Sequence, residues 1–208
     1  MTPAIERWAG CLPSSLAHHG TECCTVARAW FLAMDRTLWK GHGAPAWIRR
    51  RWEWGPTRWP LYWCEAVEAK ELDCGAQAAL TVEAFAARGV LALPAQLVQQ
   101  YDVHSTPHWH SRWTACGASP TWTQDGLVYH EVCAVVRDGR AEIWNPTVTS
   151  WVSPDDLQGY ASVAAVRIDR GSSAQSEVTW GSLRIPLDRW VVPGANGNGR
   201  HGKCSGDR

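Results

Sequence analysis

The pattern of apolar and polar positions divides the chain into a helical first half and a strand-rich second half. Apolar residues recur at helical spacing over residues 21–38, and the same spacing predicts helices at about 61–70 and at 74–88. Gly and Pro residues interrupt the segment 41–60, which predicts a connection there and not one long element.

The second half begins after a polar, loop-like segment at residues 104–126. Two apolar runs at 127–136 and 140–144 flank an Asp138-Gly139 pair, which is a strong signal for a tight β-hairpin. The remaining apolar runs predict one short strand over residues 90–93 that stops at Pro94, a helical turn at 95–100, a third strand of the sheet at 161–168 and a fourth at 178–187.

Helices that precede an antiparallel sheet predict an α+β fold, with the 74–88 helix packed on that sheet. We predict a single catalytic domain over residues 1–192. Within it, residues 1–55 form a helical N-terminal extension and residues 60–170 form the core. Residues 193–208 are rich in Gly, Asn and Arg and poor in apolar residues, which predicts a disordered tail.

Cys74 is the first candidate for chemistry because of its place in the predicted helix. Asp73 is a preferred N-cap residue and Gly89 occupies the position that ends such a helix, so Cys74 falls on the first turn. Unpaired main-chain N–H groups and the helix dipole favour a thiolate there. We therefore expect a lowered pKa for this thiol.

The hairpin brings a histidine and an asparagine together. With Asp138-Gly139 at the centre of the turn, strand alternation places His130 and Asn145 on one face, as diagonal neighbours roughly 7 Å apart. The other residues of that face are apolar, Val132 and Ile143 among them, so we expect this face to pack on the helices.

These residues form a candidate Cys–His–Asn triad. Cys74 is the nucleophile, His130 accepts its proton and returns it to the leaving group, and Asn145 orients the imidazole. The main-chain N–H of Cys74 and the indole N–H of Trp63 are the candidate oxyanion donors. Three further tryptophans are candidates for the wall of a substrate cleft: Trp109, Trp113 and Trp144.

Three short motifs resemble the transglutaminase-like superfamily, which belongs to the wider papain-like fold. Asp73-Cys74-Gly75-Ala76-Gln77-Ala78 resembles its nucleophile helix, Tyr129-His130-Glu131-Val132 its histidine strand, and Trp144-Asn145-Pro146-Thr147 its Asp-Pro motif. The resemblance covers about residues 60–152. It departs at Asn145, where transglutaminase-like members usually have Asp and papain-like peptidases have Asn.

The resemblance implies thiol-based acyl transfer through an acyl-enzyme on Cys74, which water or an amine resolves. The implied substrate is a peptide, a small amide or a thioester, including a carrier-bound one, and no cofactor is implied. One variant of this function forms amide bonds from a thioester donor in a biosynthetic pathway. The fold does not choose between peptidase, amidase and transferase.

Two alternatives belong to other classes of function. His104, His108 and His110 with Cys116 could hold a metal, whereas the triad reading contains none. The chain has 15 tryptophans, and many of them lie among arginines in residues 39–63. They could instead form the recognition surface of a non-catalytic binding module.

The charge balance and the length of the apolar runs limit which partners and locations we expect. Twenty basic and twenty acidic residues give zero net charge, so we expect neither nucleic acid nor a membrane surface as a partner. No apolar run approaches about 18 residues and no secretion signal is recognisable, which favours a cytoplasmic protein.

The eight cysteines include no CxxC pair, and Cys23 and Cys24 are adjacent. That spacing suits neither a zinc knuckle nor an easy disulfide bridge. We therefore expect most of the cysteines to be small buried apolar residues.

Overall fold

The computed structural model describes residues 16–40, 43–57, 60–100, 111, 127–155, 165–189 and 191. In these ranges the helices are α1 (Glu22–Leu38), α2 (Trp47–Arg51), α3 (Trp63–Glu68) and α4 (Cys74–Ala86). The helices predicted at 21–38, 61–70 and 74–88 are confirmed with small changes of length. None of the described helices is both long enough and apolar enough to span a membrane.

A seven-stranded sheet follows the helices, which confirms the α+β class. Its strands are β3 (Leu91–Gln100), β4 (Leu127–Arg137), β5 (Arg140–Asn145), β6 (Ser150–Val152), β7 (Ala165–Ile168), β8 (Glu177–Trp180) and β9 (Leu183–Pro186). The order is β7-β3-β4-β5-β8-β9, and β6 pairs with β5. The sheet is mixed, because β5 and β8 run parallel where we expected only antiparallel pairs. A separate parallel pair joins β1 (Glu53–Trp54) to β2 (Glu71–Leu72).

The sheet curls until its two edges nearly meet. Val166 of β7 exchanges both main-chain hydrogen bonds with Val191, and the N–H of Asp188, just after β9, donates to the carbonyl of Ile168. The concave side holds one of two apolar cores, built from side chains of β3, β4, β5, β7, β8 and β9.

Strand β3 corrects the sequence prediction around Pro94. The strand runs through the proline to Gln100, so the helical turn predicted at 95–100 is wrong. The missing N–H is tolerated because the proline nitrogen faces β7, where the ladder has already ended at the Ala95–Ile168 pair. The carbonyl of Pro94 faces the same side and accepts from the N–H of Asp169, just beyond the end of β7.

The last predicted strand, 178–187, is two strands. β8 and β9 form a hairpin around Gly181, whose φ of 56° lies in the left-handed region. A Cβ at this glycine would lie 2.6 Å from Pro154 Cγ, so the turn needs glycine for space as well as for conformation.

The central hairpin is confirmed. Asp138 and Gly139 have φ values of 50° and 73°, as a type I′ turn requires, and Arg137 pairs with Arg140. The register continues to the pair of Cys133 with Trp144, as predicted.

The faces of β4 are reversed relative to our expectation. Cys133, Val135 and Trp144 pack into the core that contains the helices, together with Ala76 and Leu80 of α4. Val132, Ala134 and Ile143 face the concave core of the sheet instead. The prediction that the face of His130 and Asn145 packs on the helices is therefore wrong, because both faces of β4 are apolar and alternation alone does not say which one meets α4.

Helix α4 is fixed at both ends. At its start, Asp73 accepts from the N–H of Ala76 at 2.8 Å and from the hydroxyl of Thr57 at 2.6 Å. At its end, the guanidinium of Arg88 pairs with the buried carboxylate of Asp35 on α1 and also donates to the carbonyl of Trp39. These contacts hold the helix to the connection at Thr57 and to α1.

Candidate functional site

His130 and Asn145 are hydrogen-bonded, as the hairpin register predicts. His130 Nε2 lies 2.9 Å from Asn145 Oδ1, and the same oxygen accepts from the main-chain N–H of Thr147 at 3.1 Å. A main-chain N–H only donates, so the amide atom between them is the oxygen. His130 Nε2 therefore carries the proton, and Nδ1 holds the lone pair that can act as a base.

The environment of His130 keeps the imidazole neutral. Burial lowers the pKa of His130 below its usual 6.5, and the hydrogen bond to Asn145 opposes this only in part. Because Asn145 has no charge, it orients the ring without strongly stabilising an imidazolium. At neutral pH the ring is ready to accept a proton.

Cys74 lies on the first turn of α4, beside strand β4. The main-chain N–H groups of Glu131 and Gly75 point at its thiol. In the hairpin, odd-numbered residues of β4 direct their N–H groups toward β5, whose pairing with β4 ends at Cys133. The N–H of Glu131, just past the last β4–β5 pair, therefore points at the Cys74 thiol. Glu131 directly follows His130 in the chain.

The pKa of Cys74 shifts in the opposite direction from our expectation. Burial raises it well above its ordinary value of 9.0, and the nearby carboxylates of Asp73 and Glu131 raise it further. The two main-chain N–H groups lower it only in part. The expected lowering is wrong because the thiol is buried and because the residue that caps the helix is itself an anion beside it.

The three predicted triad residues meet only in part. His130 and Asn145 are in direct contact, and Cys74 adjoins the chain at Glu131, but within the described residues no hydrogen bond joins Cys74 to His130. The imidazole belongs to the concave side of β4, whereas α4 covers the other side. The thiol and the imidazole therefore adjoin neighbouring residues of β4 where β5 ends, and they form no ion pair among the described contacts.

A row of buried polar side chains crosses the sheet beside this corner. Gln96 of β3 is paired with Arg167 of β7 on one side and with Glu131 of β4 on the other. All three residues are at most 5% exposed, and Gln96 donates to the carboxylate of Glu131 at 3.2 Å. Sequence reasoning missed this row because it read residues 95–100 as helical. The alternation of Ala95, Gln96, Leu97 and Val98 was too short to show a strand with one polar position.

Two of the four candidate tryptophans lie in the helical core. Trp63 is 4% exposed and packs on Phe31 with ring centroids 5.6 Å apart, and Trp144 is 5% exposed and packs edge-on against Trp151. Their burial leaves little ring surface for a substrate, so the oxyanion role of Trp63 stays a prediction. Trp109 and Trp113 lie outside the described residues.

A second cluster of titratable side chains stands apart from the candidate triad. The ligand atoms of His19, Cys23, Cys24 and Cys64 all lie within 4.8 Å of one another. Cys23 and Cys24 are on the first turn of α1, and Cys64 is on the first turn of α3. The alternative metal site predicted at His104, His108, His110 and Cys116 lies outside the described residues.

Fold and site together define a mixed α+β protein with a helix-borne cysteine beside a sheet-borne His–Asn pair. No protein-family model, curated protein or solved structure matches the chain. The argument for function therefore rests on the site itself.

Proposed function

We propose that the protein is a thiol-dependent acyl-transfer enzyme that cleaves or forms an amide bond through an acyl-enzyme on Cys74. The observation that supports this most strongly is the hydrogen bond from His130 Nε2–H to Asn145 Oδ1, which leaves Nδ1 free as a base. A general base needs this arrangement, in which one ring nitrogen is oriented by a hydrogen bond and the other keeps its lone pair.

The first half of the proposed reaction forms the acyl-enzyme. His130 Nδ1 takes the thiol proton as Cys74 Sγ attacks the acyl carbon of a peptide, amide or thioester. The S–C bond forms, the bond to the leaving amine or thiol breaks, and His130 returns the proton to the leaving group. The main-chain N–H of Cys74 is the candidate donor to the oxyanion.

The second half releases the acyl group. Water or an amine loses a proton to His130 and attacks the thioester carbon, after which the S–C bond breaks and the thiol is regenerated. Water gives hydrolysis, and an amine gives a new amide.

A raised thiol pKa and a lowered imidazole pKa support a proton transfer that accompanies attack, in place of a resting thiolate–imidazolium pair. Because no hydrogen bond joins the two side chains within the described residues, the proposal requires that His130 turns toward Cys74 when substrate binds. Apo enzymes commonly tighten such contacts only in the substrate complex.

The buried tryptophans of residues 47–63 weigh against the alternative of a Trp-rich recognition surface. Trp47, Trp52 and Trp63 are at most 4% exposed, whereas Trp54 is partly exposed. The three buried rings fill the helical core around Phe31. The acyl-transfer proposal accordingly has more support than the binding module.

A trapped adduct tests the proposal. The full chain is incubated with a panel of short acyl thioesters and peptide p-nitrophenyl esters and analysed by intact mass and peptide mapping. We expect one acyl group on Cys74, none in Cys74→Ala, and an unchanged adduct in Cys204→Ala. Adding a primary amine then separates transfer from hydrolysis by the product formed.

Two results would contradict the proposal. One is acylation spread over several cysteines at equal rates. The other is a Cys74 adduct whose rate of formation does not change in His130→Gln, since a base that assists attack must affect that rate.

A further inference from the structure

We propose that His19, Cys23, Cys24 and Cys64 bind one Zn²⁺ ion in a tetrahedral Cys₃His site that joins residues 16–20 and α1 to the start of α3. This site is separate from the candidate triad and does not depend on the proposed acyl transfer. Three thiolates and one imidazole are a ligand set that zinc takes in closed, structural sites.

The spacing of the ligand atoms matches zinc. Zn–S bonds of about 2.3 Å and Zn–N bonds of about 2.0–2.1 Å make tetrahedron edges of about 3.8 Å between sulfurs and about 3.6 Å from nitrogen to sulfur. Cys24 Sγ lies 3.8 Å from Cys64 Sγ. His19 Nδ1 lies 3.3 Å from Cys24 Sγ and 3.7 Å from Cys64 Sγ.

Cys23 completes the tetrahedron with a small adjustment. Its three distances to the other ligand atoms stay within 4.8 Å, somewhat longer than a tetrahedron edge. The side chain is exposed, and its thiol lies 3.1 Å from the hydroxyl of Thr21. Rotation about the Cα–Cβ bond is therefore open to it, so an ion can draw the thiol in without moving the helix.

The histidine is already oriented for coordination through Nδ1. The ring of His19 stacks on Tyr62 with centroids 3.5 Å apart and an interplanar angle of 13°. Its neighbour His18 is used differently, because its Nδ1 accepts from the N–H of Gly20 and its Nε2 lies 3.3 Å from the hydroxyl of Thr25. The structure thus distinguishes the ligand histidine from an adjacent one that is not a ligand.

The crowding of the thiols agrees with a site built for a cation. The three thiols and the imidazole nitrogen all lie within 4.8 Å of one another. Several thiolates this close repel one another, and a doubly charged ion removes that penalty as each ligand releases its proton to solvent.

Cys23 departs from our expectation that most of the cysteines are small buried apolar residues, because it is exposed. Cys24 is buried as expected, and its thiol also contacts His19 Nδ1. The adjacent pair suits zinc because the two thiols leave the first turn of α1 at different angles and α3 supplies the third. A search for CxxC spacing misses a site whose ligands come from three separate segments.

Metal analysis of the full chain, purified with a phosphine reductant and without chelators, tests the site directly. We expect about one zinc per chain. X-ray absorption at the zinc edge should show three sulfurs at about 2.3 Å and one nitrogen at about 2.0 Å. Cobalt substitution should give thiolate-to-metal charge transfer and the intense d–d bands of a tetrahedral site.

A matched pair of variants locates the ion. His19→Ala should lose zinc or change its spectrum to one with fewer nitrogen ligands, whereas His18→Ala should keep both zinc content and spectrum. Chelation of the wild-type protein should lower the melting temperature by at least about 5 °C, and zinc should restore it.

Three results would overturn the proposal. They are a protein that neither contains nor takes up zinc with its thiols reduced, an iron–sulfur or copper spectrum at this site, and zinc that persists in Cys24→Ser/Cys64→Ser but is lost in His108→Ala/His110→Ala. The wild-type absorption spectra decide the case even where a cysteine variant fails to fold.

Discussion

Cys24 and Cys74 both lie on the first turn of a helix and have opposite acid–base behaviour. Cys24 is the third residue of α1, and Cys74 is the first residue of α4. Burial raises the pKa of both thiols, yet the pKa of Cys24 falls to about 6 while that of Cys74 rises well above 9.0. The start of a helix therefore does not decide the charge of a thiol by itself.

The difference comes from the neighbours of each sulfur. Around Cys24 they are His19 and Cys64, whose hydrogen bonds with the Cys24 thiol lower its pKa. Around Cys74 they are the carboxylates of Asp73 and Glu131, which oppose a second negative charge. One environment is suited to hold a cation, and the other keeps a nucleophile protonated until a base removes its proton.

The largest expected effect separates the two sites by substitution. Cys74→Ser should lower the rate of acyl-adduct formation by at least about 10³-fold, because a hydroxyl beside a neutral imidazole is a much weaker nucleophile. Its zinc content and melting temperature should stay as in the wild type. Cys64→Ser should instead lose zinc and melt at lower temperature. Mass spectrometry measures the adduct, metal analysis the zinc content and calorimetry the melting temperature. A Cys74→Ser protein that loses zinc would show that the two sites are one.

Substitution of Asn145 has the next largest expected effect. Asn145→Ala should lower the rate constant for acylation by about 10²-fold, because the imidazole loses its fixed tautomer. Asn145→Asp should keep the orientation and raise the pKa of His130, since a carboxylate stabilises the imidazolium.

The sign of the pH effect follows from the need for a neutral base. The wild-type rate should fall only below pH 6.5, because the pKa of His130 is lowered. In Asn145→Asp the fall should begin at higher pH. Rate–pH profiles of adduct formation check this, and superimposable acid limbs for the two proteins would remove the hydrogen bond from the mechanism.

The pH dependence of alkylation tests the raised pKa of Cys74 in the free protein. Iodoacetamide reacts with the thiolate, so labelling of Cys74 should rise about tenfold per pH unit through pH 9 without levelling off. Peptide mapping after timed labelling gives the rate at each pH. A plateau near neutral pH would mean that Cys74 is a resting thiolate and that the contrast with Cys24 is false.

The smallest effect concerns the charge beside the nucleophile. Asp73→Asn keeps an oxygen for the N–H of Ala76 but removes an anion, so the pKa of Cys74 should fall and its labelling at pH 8 should rise several-fold. Thr57→Val is the matched control, because it removes the hydrogen bond to Asp73 and leaves the charge. Equal labelling in Asp73→Asn and the wild type would assign the raised pKa to burial and Glu131 instead of Asp73.

Local signals predicted the pieces of this fold well. The Asp138-Gly139 turn fixed the register of β4 and β5, and with it the contact of His130 with Asn145. The Asp73 cap and Gly89, with a φ of 70°, fixed the limits of α4. In each case the information lies within a few residues of the feature it determines.

Features that depend on distant segments escaped prediction. Both faces of β4 are apolar, so only the packed structure shows that Val135, and not Val132, meets the helices. Pro94 is accommodated only because β7 ends beside it. The cluster around Cys24 combines residues up to 45 positions apart, from His19 to Cys64, and no local spacing records such a meeting.

The anchoring of α4 determines which part of the site can move. Thr57 holds one end of the helix through Asp73, and Asp35 holds the other through Arg88. Sliding the helix would break both contacts, and such shifts take microseconds to milliseconds. Within the described part of the chain, His130 is held by one side-chain hydrogen bond, to Asn145, and is only partly buried. In the proposed reaction, alignment of base and nucleophile is then a reorientation of one ring against a stationary sulfur.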